Sequence, residues 1–157
     1  MNGYSFFAPT KVLFGAGKLS ELGAQKLPGT KALIVTTGGN SVKRFGYLRR
    51  VEAELERAGV AHELFDRIEP NPLRETVNAG GWMARTHGCD FVLALGGGSV
   101  MDGSKGICAV AANPHTDAEG NECPGDIWDF VNGGTALGLP IPNDPLPLVC
   151  VTRSEER

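Results

Sequence analysis

Apolar and polar residues follow two different periods along this chain. Buried strands are predicted at Lys31–Thr36, Asp90–Leu95 and Leu148–Thr152, because each range contains an uninterrupted apolar run. From Val42 to Ala58 the apolar residues instead recur every three or four positions, which predicts one amphipathic helix that ends at Gly59.

Weaker patterns predict the remaining elements. Short strands are predicted at Tyr4–Phe7, Lys11–Phe14 and Ala61–Phe65, and helices at Leu19–Leu27, Leu73–Thr86, Val100–Ala111 and near Asp126–Phe130. The pair Gly80-Gly81 weakens the second of these helices by about 1 kcal/mol per glycine relative to alanine. Because strands and helices alternate, residues 1–152 are predicted to form one α/β domain, a Rossmann-like parallel sheet flanked by helices.

Glycine is the unusual part of the amino-acid composition. The chain has 157 residues, which suits a single domain, and 22 of them are glycine, about twice the usual share. The glycines cluster at Gly38-Gly39, Gly80-Gly81, Gly96-Gly97-Gly98 and Gly133-Gly134. Such clusters at the ends of apolar runs predict tight turns or loops that a ligand approaches closely.

Charge, cysteine usage and targeting signals narrow the class of protein. A formal net charge of −3 without a basic face predicts no nucleic-acid partner. Apolar runs stay below the ~18 residues of a membrane span, and residues 1–9 lack the regions of a secretory signal, so we expect a cytosolic protein without a membrane partner. Four cysteines without a Cys-x-x-Cys pair and three scattered histidines predict buried, inert thiols and no metal cluster.

The loop Gly96-Gly97-Gly98-Ser99 lies between a strong strand and a strong helix. Missing side chains let backbone N–H groups and the helix dipole meet a phosphate, so the loop predicts an anion site. Its spacing matches neither Gly-x-Gly-x-x-Gly nor a nucleotide-hydrolysing P-loop, and a tight strand–helix turn is the alternative. Asp102, followed by Lys105, either favours the helix N-terminus or contacts a substrate or ribose.

The loop Thr37-Gly38-Gly39-Asn40-Ser41 follows the first buried strand and contains no acidic residue. A carboxylate there would bind the ribose 2′-hydroxyl of NAD and repel a 2′-phosphate. Small donors together with Lys43 therefore favour NADP over NAD. A helix start capped by Asn40 or Ser41 is the plainer interpretation, and both interpretations are compatible.

These motifs together resemble those of a known family. Gly96–Lys105 is similar to the Gly-Gly-Gly-Ser-x-x-Asp-x-x-Lys signature of iron-containing (group III) alcohol dehydrogenases. Further stretches resemble the butanol-dehydrogenase-like branch, namely Pro9–Val12 with Phe14-Gly15, Pro70-Asn71-Pro72, Ala111–Asn113 and Asp126–Trp128. The similarity extends to Thr152, and it implies the dehydroquinate-synthase-like N-terminal domain of that family.

The resemblance also implies a set of cofactor-binding residues. The pyrophosphate and nicotinamide side of the dinucleotide is expected at Gly97, Gly98, Ser99 and Asp102. The adenosine 2′-phosphate is expected along Gly38, Gly39, Asn40, Ser41 and Lys43. Asn71 is expected to line the adenine or ribose pocket, and Thr152 corresponds to the start of a threonine-rich strand end.

The activity implied by the resemblance is hydride transfer between a primary alcohol or aldehyde and NADP, with NAD as the second choice. Members of the family bind iron or another divalent metal through an all-helical C-terminal domain, whereas residues 153–157 are polar where the family continues towards that domain. We therefore expect a dinucleotide-binding half that is inactive alone and contains neither catalytic nor metal-ligating residues.

Two other hypotheses are a non-catalytic dinucleotide-binding or dimerisation module and a flavodoxin-like or regulatory domain. A domain without its helical partner is also expected to expose apolar surface and to form a homo-oligomer.

Overall fold

The computed structural model describes residues 9–39 and 41–152. Six strands lie within these ranges: β1 Lys31–Thr37, β2 Ala61–Ile68, β3 Phe91–Gly96, β4 His115–Thr116, β5 Glu122–Cys123 and β6 Leu148–Thr152. The α-helices in the same part of the chain are α1 Ser41–Arg44, α2 Tyr47–Arg57, α3 Arg74–Thr86 and α4 Gly98–Ala112. Short 3₁₀ helices span Lys18–Ala24 and Ile127–Asp129.

The main sheet has four parallel strands in the order β2-β1-β3-β6. Its two central strands are buried on both sides, with Ala32–Thr36 of β1 and all of β3 shielded from solvent, which explains why their sequences are continuous apolar runs. Strands β4 and β5 form a separate antiparallel pair. The predicted α/β fold, a parallel sheet flanked by helices, is confirmed.

Helices cover both faces of this sheet. On one face α2 contributes Leu48, Val51 and Leu55 to a core with β1 and β3. On the other face α3 and α4 pack over the alternate residues of the same strands, as Ile107 and Val110 do. The recurrence of apolar residues in α2 every three or four positions thus becomes one buried stripe.

The glycines inside α3 allow it to lie close to α4. A Cβ at Gly80 would lie 2.6 Å from Ile107 Cδ1, and one at Gly81 would lie 2.6 Å from Val110 Cγ1. The helix predicted over Leu73–Thr86 is confirmed as Arg74–Thr86. Glycine at these two positions weakens the helix, but it permits the close packing of α3 against α4.

Two predictions about local structure are wrong. The single helix predicted from Val42 to Ala58 is broken, because Gly46 adopts a left-handed φ of 73° between α1 and α2. Phe45, counted in the apolar stripe, is consequently 61% exposed. Lys11–Phe14 forms no strand, while the strand predicted at Tyr4–Phe7 lies outside the described residues.

A long connection returns the chain from α4 to β6, and Asn113 holds its two ends together. The buried Asn113 side chain accepts a hydrogen bond from the Asn143 backbone N–H (2.8 Å) and donates one to the Asn143 carbonyl (3.1 Å). Midway, Asp126 is bound by Arg74 and Asn78 of α3. These contacts bring β6 beside β3, where Thr152 pairs with Gly96.

Candidate functional site

The strand order creates a crevice at the carboxyl ends of β1 and β3. The chain leaves β1 towards β2 on one side, whereas β3 lies on the other side of β1. Open α/β sheets bind ligands where the strand order reverses in this way. The crevice has a volume of about 260 Å³ and is lined by Thr37, Ser41, Val42, Pro70, Gly96, Gly97, Gly98, Ser99 and Val100.

The N-terminus of α4 opens into this crevice. The helix is 15 residues long and starts at Gly98, and no side chain caps it at Gly97. The first helical hydrogen bond runs from the Met101 N–H to the Gly97 carbonyl at 3.1 Å. The N–H groups of the first turn therefore point without a helical partner towards the crevice, at the positive end of the helix dipole, which is an arrangement that favours an anion.

Packing within the protein does not require glycine at two of the three loop positions. Gly97 and Gly98 both have negative-φ backbones, and a Cβ added at either would meet nothing within 4 Å. Gly96 differs, because its Cβ would lie 2.7 Å from Val100 Cγ2. Gly96 thus serves the strand–helix packing, whereas Gly97 and Gly98 leave an open cradle beside the first turn of α4.

The loop after β1 forms the opposite wall of the crevice. Ser41, at the start of α1, lines the crevice, and Gly38 and Gly39 are exposed beside it. Asn40 lies outside the described residues. A Cβ at Gly38 would lie 3.2 Å from the Asp66 carbonyl oxygen, so this loop passes close to β2.

Lys43 contacts a carboxylate rather than the crevice. Its ammonium donates a hydrogen bond to Asp66 Oδ2, and this contact lowers the pKa of the Asp66 carboxyl from its ordinary value. Both side chains are partly exposed. Lys43 therefore offsets the charge of the Asp66 carboxylate, and its predicted contact with a 2′-phosphate remains a prediction.

Other predicted site residues lie around the crevice rather than in its lining. Asp102 and Lys105 form an exposed ion pair at 2.9 Å on α4, which raises the pKa of Lys105. Asn71 is exposed and has a left-handed φ of 54° beside the crevice residue Pro70. The structure thus brings together Ser41, Gly97, Gly98 and Ser99 in one lining and leaves Asp102, Asn71 and Lys43 outside it.

A second cavity of about 640 Å³, which we call the larger cavity, adjoins the crevice. Val42 and Gly96 line both spaces. The larger cavity lies among the segment from Leu13 to Leu22, the start of α2 and the ends of β3 and β6, and it includes the predicted residue Thr152. Tyr47 and Arg50 line it as well. They were not predicted, because neither carries a motif.

Metal ligands do not converge in the described ranges. Among residues 9–39 and 41–152, no three His, Cys, Asp or Glu side chains form a group suited to a metal ion. His115 instead pairs with Asp129 at 2.5 Å. The described residues therefore do not fit a catalytic metal.

The cysteines are free thiols in different environments. Burial raises the pKa of Cys89 to about 11 and that of Cys108 to about 12. Cys123 is half-buried and Cys150 is exposed, so the prediction of buried thiols holds for only part of the set.

Across the described ranges, every helix is too short or too polar to cross a bilayer.

Comparison with known proteins shows to which family the chain belongs. The family model described as iron-containing alcohol dehydrogenase matches residues 9–153. The chain belongs to the iron-containing alcohol dehydrogenase family. The resemblance noted from the Gly96–Lys105 signature is thereby confirmed, including its butanol-dehydrogenase-like relatives.

Three members illustrate the relationship. The chain is 40% identical to the NADPH-dependent aldehyde reductase YqhD of Escherichia coli over 99% of this chain and 38% of that protein. It is 38% identical to a probable NADH-dependent butanol dehydrogenase of Bacillus subtilis over 83% of this chain and 31% of that protein. The crystal structure of an archaeal halo-thermophilic alcohol dehydrogenase from a Red Sea brine pool superposes with a TM-score of 0.83 at 37% identity, covering 97% of this chain and 36% of the other.

The chain thus spans between 31% and 38% of the length of these relatives, and the match lies in their N-terminal portion. Some of the related proteins are named as NADH-dependent and others as NADPH-dependent. Family membership and fold follow from these matches.

Proposed function

We propose that this chain is the dinucleotide-binding half of an alcohol dehydrogenase that transfers hydride between a primary alcohol or aldehyde and a nicotinamide cofactor. The observation that carries the proposal is the open cradle at Gly97 and Gly98, which lies at the switch point of the sheet and faces the uncapped N-terminus of α4. Ser41 and Ser99 supply hydroxyl groups to the same lining. A diphosphate bound there accepts hydrogen bonds from the free N–H groups of the first helical turn.

NADP is the proposed cofactor and NAD the weaker alternative. Residues 37–41 contain no carboxylate, and the nearby Asp66 carboxylate is paired with Lys43. A carboxylate without a partner at this edge would repel a 2′-phosphate and bind the ribose of NAD. Because Lys43 neutralises the Asp66 carboxylate, the expected repulsion of a 2′-phosphate is absent.

The chain by itself is proposed to bind the cofactor without turning over an alcohol. The related dehydrogenases and reductases are more than twice as long, and the described residues form no metal group. This chain's part is to hold the dinucleotide against the ends of β1 and β3.

Purified 157-residue chain tests the proposal in two assays. Calorimetric titration is expected to show binding of NADP that is tighter than binding of NAD. Absorbance at the nicotinamide band is expected to show no butanol oxidation. Absence of binding by either dinucleotide at millimolar concentration would refute the site, tighter NAD would refute the cofactor preference, and steady turnover would refute the inactivity.

A second candidate is a binding module that associates with another copy of the chain. Exposed apolar side chains favour it, since Phe14 is 94% and Val12 is 73% exposed, and clustered apolar exposure promotes association. Light scattering coupled to size exclusion is expected to give a dimer or larger species. A clean monomer would contradict this candidate without affecting cofactor binding.

A further inference from the structure

A histidine and a cysteine face each other across the small antiparallel sheet. In the register of β4 and β5, His115 lies directly opposite Cys123, and neither residue lines the crevice or the larger cavity. Directly opposed residues of an antiparallel pair project on the same face of the sheet, with Cβ atoms about 4.5–5.5 Å apart. The imidazole and the thiol are therefore neighbours, outside the site described above.

Asp129 holds the far nitrogen of this imidazole. Its Oδ2 lies 2.5 Å from Nε2 of His115, and the Asp129 side chain is only 17% exposed. A hydrogen bond from Nε2–H to a carboxylate leaves Nδ1 without a proton, so Nδ1 is free to accept one. Nδ1 is also the ring nitrogen nearer to the backbone, and hence nearer to the cross-strand neighbour Cys123.

The Cys123 thiol has no competing contact. It is half-buried, and its sulfur forms no hydrogen bond with the residues that the structure describes. Rotation about the Cα–Cβ bond of Cys123 changes the direction of Sγ, and the two side chains together can span the distance between their Cβ atoms. A nucleophile, a base and a third group that orients the base form the arrangement that activates a thiol.

The other three cysteines are less suited to reaction, because only a thiolate is a good nucleophile. Burial raises the pKa of Cys89 to about 11 and that of Cys108 to about 12. Cys150 is exposed, but partial burial raises the pKa of its thiol, and the charge of Lys105 offsets this effect only in part. Cys150 is thus the natural internal comparison for Cys123.

We infer that Cys123 is a modification site that exchanges with low-molecular-weight disulfides, with His115 as its base and Asp129 as the residue that orients His115. The S–H proton of Cys123 passes to Nδ1, and the sulfur attacks one sulfur of the reagent. The S–S bond of the reagent breaks, and the departing thiolate takes the proton from His115. Cys123 is oxidised to a mixed disulfide, while one half of the reagent is reduced to a thiol. This chemistry is independent of dinucleotide binding.

Charge around the site favours a cationic reagent. Residues 113–152 contain no Lys or Arg and six acidic residues, namely Asp117, Glu119, Glu122, Asp126, Asp129 and Asp144. Arginines of α3 pair with two of these, Glu122 and Asp126. Asp117, in the turn between β4 and β5, is instead bound by backbone N–H groups, which lower the pKa of its carboxyl. The turn keeps its negative charge, which attracts a cationic disulfide and repels an anionic one.

Timed reaction of the 157-residue chain with cystamine, a disulfide with two ammonium groups, tests the inference. Peptide mass spectrometry after quenching measures the mixed disulfide at each cysteine. At pH 7 Cys123 is expected to react about tenfold faster than Cys150, because an unassisted thiol is only a few per cent thiolate at that pH. Dithiodipropionate, of similar size with two carboxylates, is expected to react with Cys123 about threefold more slowly than cystamine.

Variants separate the base from the rest of the sheet. His115→Asn is expected to slow the reaction of Cys123 about tenfold. Thr116→Ala is the matched control, since Thr116 is the next residue of β4 and projects from the opposite face, where it pairs with Glu122; the rate should change less than about twofold. Asp129→Ala should slow the reaction as well, and Asp129→Glu, which keeps the carboxylate, should restore part of the rate.

Two results would overturn the inference: reaction of Cys123 no faster than that of Cys150 in the wild type, or equal slowing by Thr116→Ala and His115→Asn. Faster reaction with dithiodipropionate than with cystamine would contradict the cationic class of reagent. The comparison of Cys123 with Cys150 needs no variant, and thermal unfolding checks the fold of each variant used in the others.

Discussion

Alanine at Gly98 gives a direct test of why the loop is glycine. Gly98 is the first residue of α4, and a Cβ there meets no protein atom within 4 Å. Alanine is a better helix former than glycine by up to about 1 kcal/mol. Gly98→Ala should therefore leave the free energy of unfolding unchanged or raise it by up to about 1 kcal/mol.

The same methyl group projects into the space proposed for the diphosphate. It would push phosphate oxygens away from the first-turn N–H groups, and each hydrogen bond to a charged group contributes about 1.5–3 kcal/mol. Loss of one such bond corresponds to a decrease in NADP affinity of about 10- to 150-fold. The expected signature is a folded, equally stable or more stable protein with severely weakened binding.

Gly96→Ala is the matched control for this variant. Its Cβ would lie 2.7 Å from Val100 Cγ2 inside the core, and overpacking of this kind costs about 1–3 kcal/mol. A loss of 1 kcal/mol lowers the Tm of a domain of this size by roughly 2–4 °C, so a drop of several degrees is expected. The assays are differential scanning calorimetry and NADP titration on both variants.

Two outcomes would show that Gly98 does not serve ligand binding. If Gly98→Ala bound NADP as tightly as the wild type, no ligand would approach the loop closely. If it unfolded at the same lowered temperature as Gly96→Ala, the glycine would serve packing after all.

Three further predictions concern charge and packing. The Ser104 hydroxyl is fully buried without a partner in the described ranges, so Ser104→Ala should stabilise the protein by about 1 kcal/mol; a loss in urea unfolding would contradict this. Lys43→Met should weaken NADP relative to NAD in competition titrations by freeing Asp66, and added Asp66→Asn should restore the ratio; no recovery would disprove the neutralising role. Arg74 lowers the pKa of Asp126 below its ordinary 3.8, so the stability from this pair is present above pH 3.8 and is lost as pH falls below it; acid unfolding of Asp126→Asn should show a smaller loss than the wild type.

The sheet was predictable because its strands bury both faces. The predicted strands Lys31–Thr36 and Asp90–Leu95 each contain a continuous apolar run, and the observed strands lie within one residue of the predicted bounds. The break between α1 and α2 was not predictable from periodicity, because the apolar stripe continues through Phe45 while the left-handed backbone of Gly46 redirects the chain. The backbone conformation of Gly46 therefore breaks the helix although the apolar stripe continues across it.

The candidate site was predictable where it depends on loops at strand ends. Gly97, Gly98 and Ser99 follow β3 directly, so their position at the switch point follows from the topology. Contacts between residues that are far apart in the sequence could not be predicted from motifs or periodicity. The partner of Lys43 lies on β2, 23 residues away, and the place of Arg50 in the larger cavity depends on how α2 packs beside β6.

We expect the diphosphate of a nicotinamide dinucleotide to lie at the N-terminus of α4, between the two glycine-bearing loops. A crystal structure of the 157-residue chain grown with NADP measures this directly. Diphosphate oxygens are expected within about 3 Å of the Gly98 and Ser99 backbone N–H groups, with Ser41 on the opposite wall. A dinucleotide bound elsewhere on the chain, with the Gly97–Gly98 cradle filled by water, would contradict it.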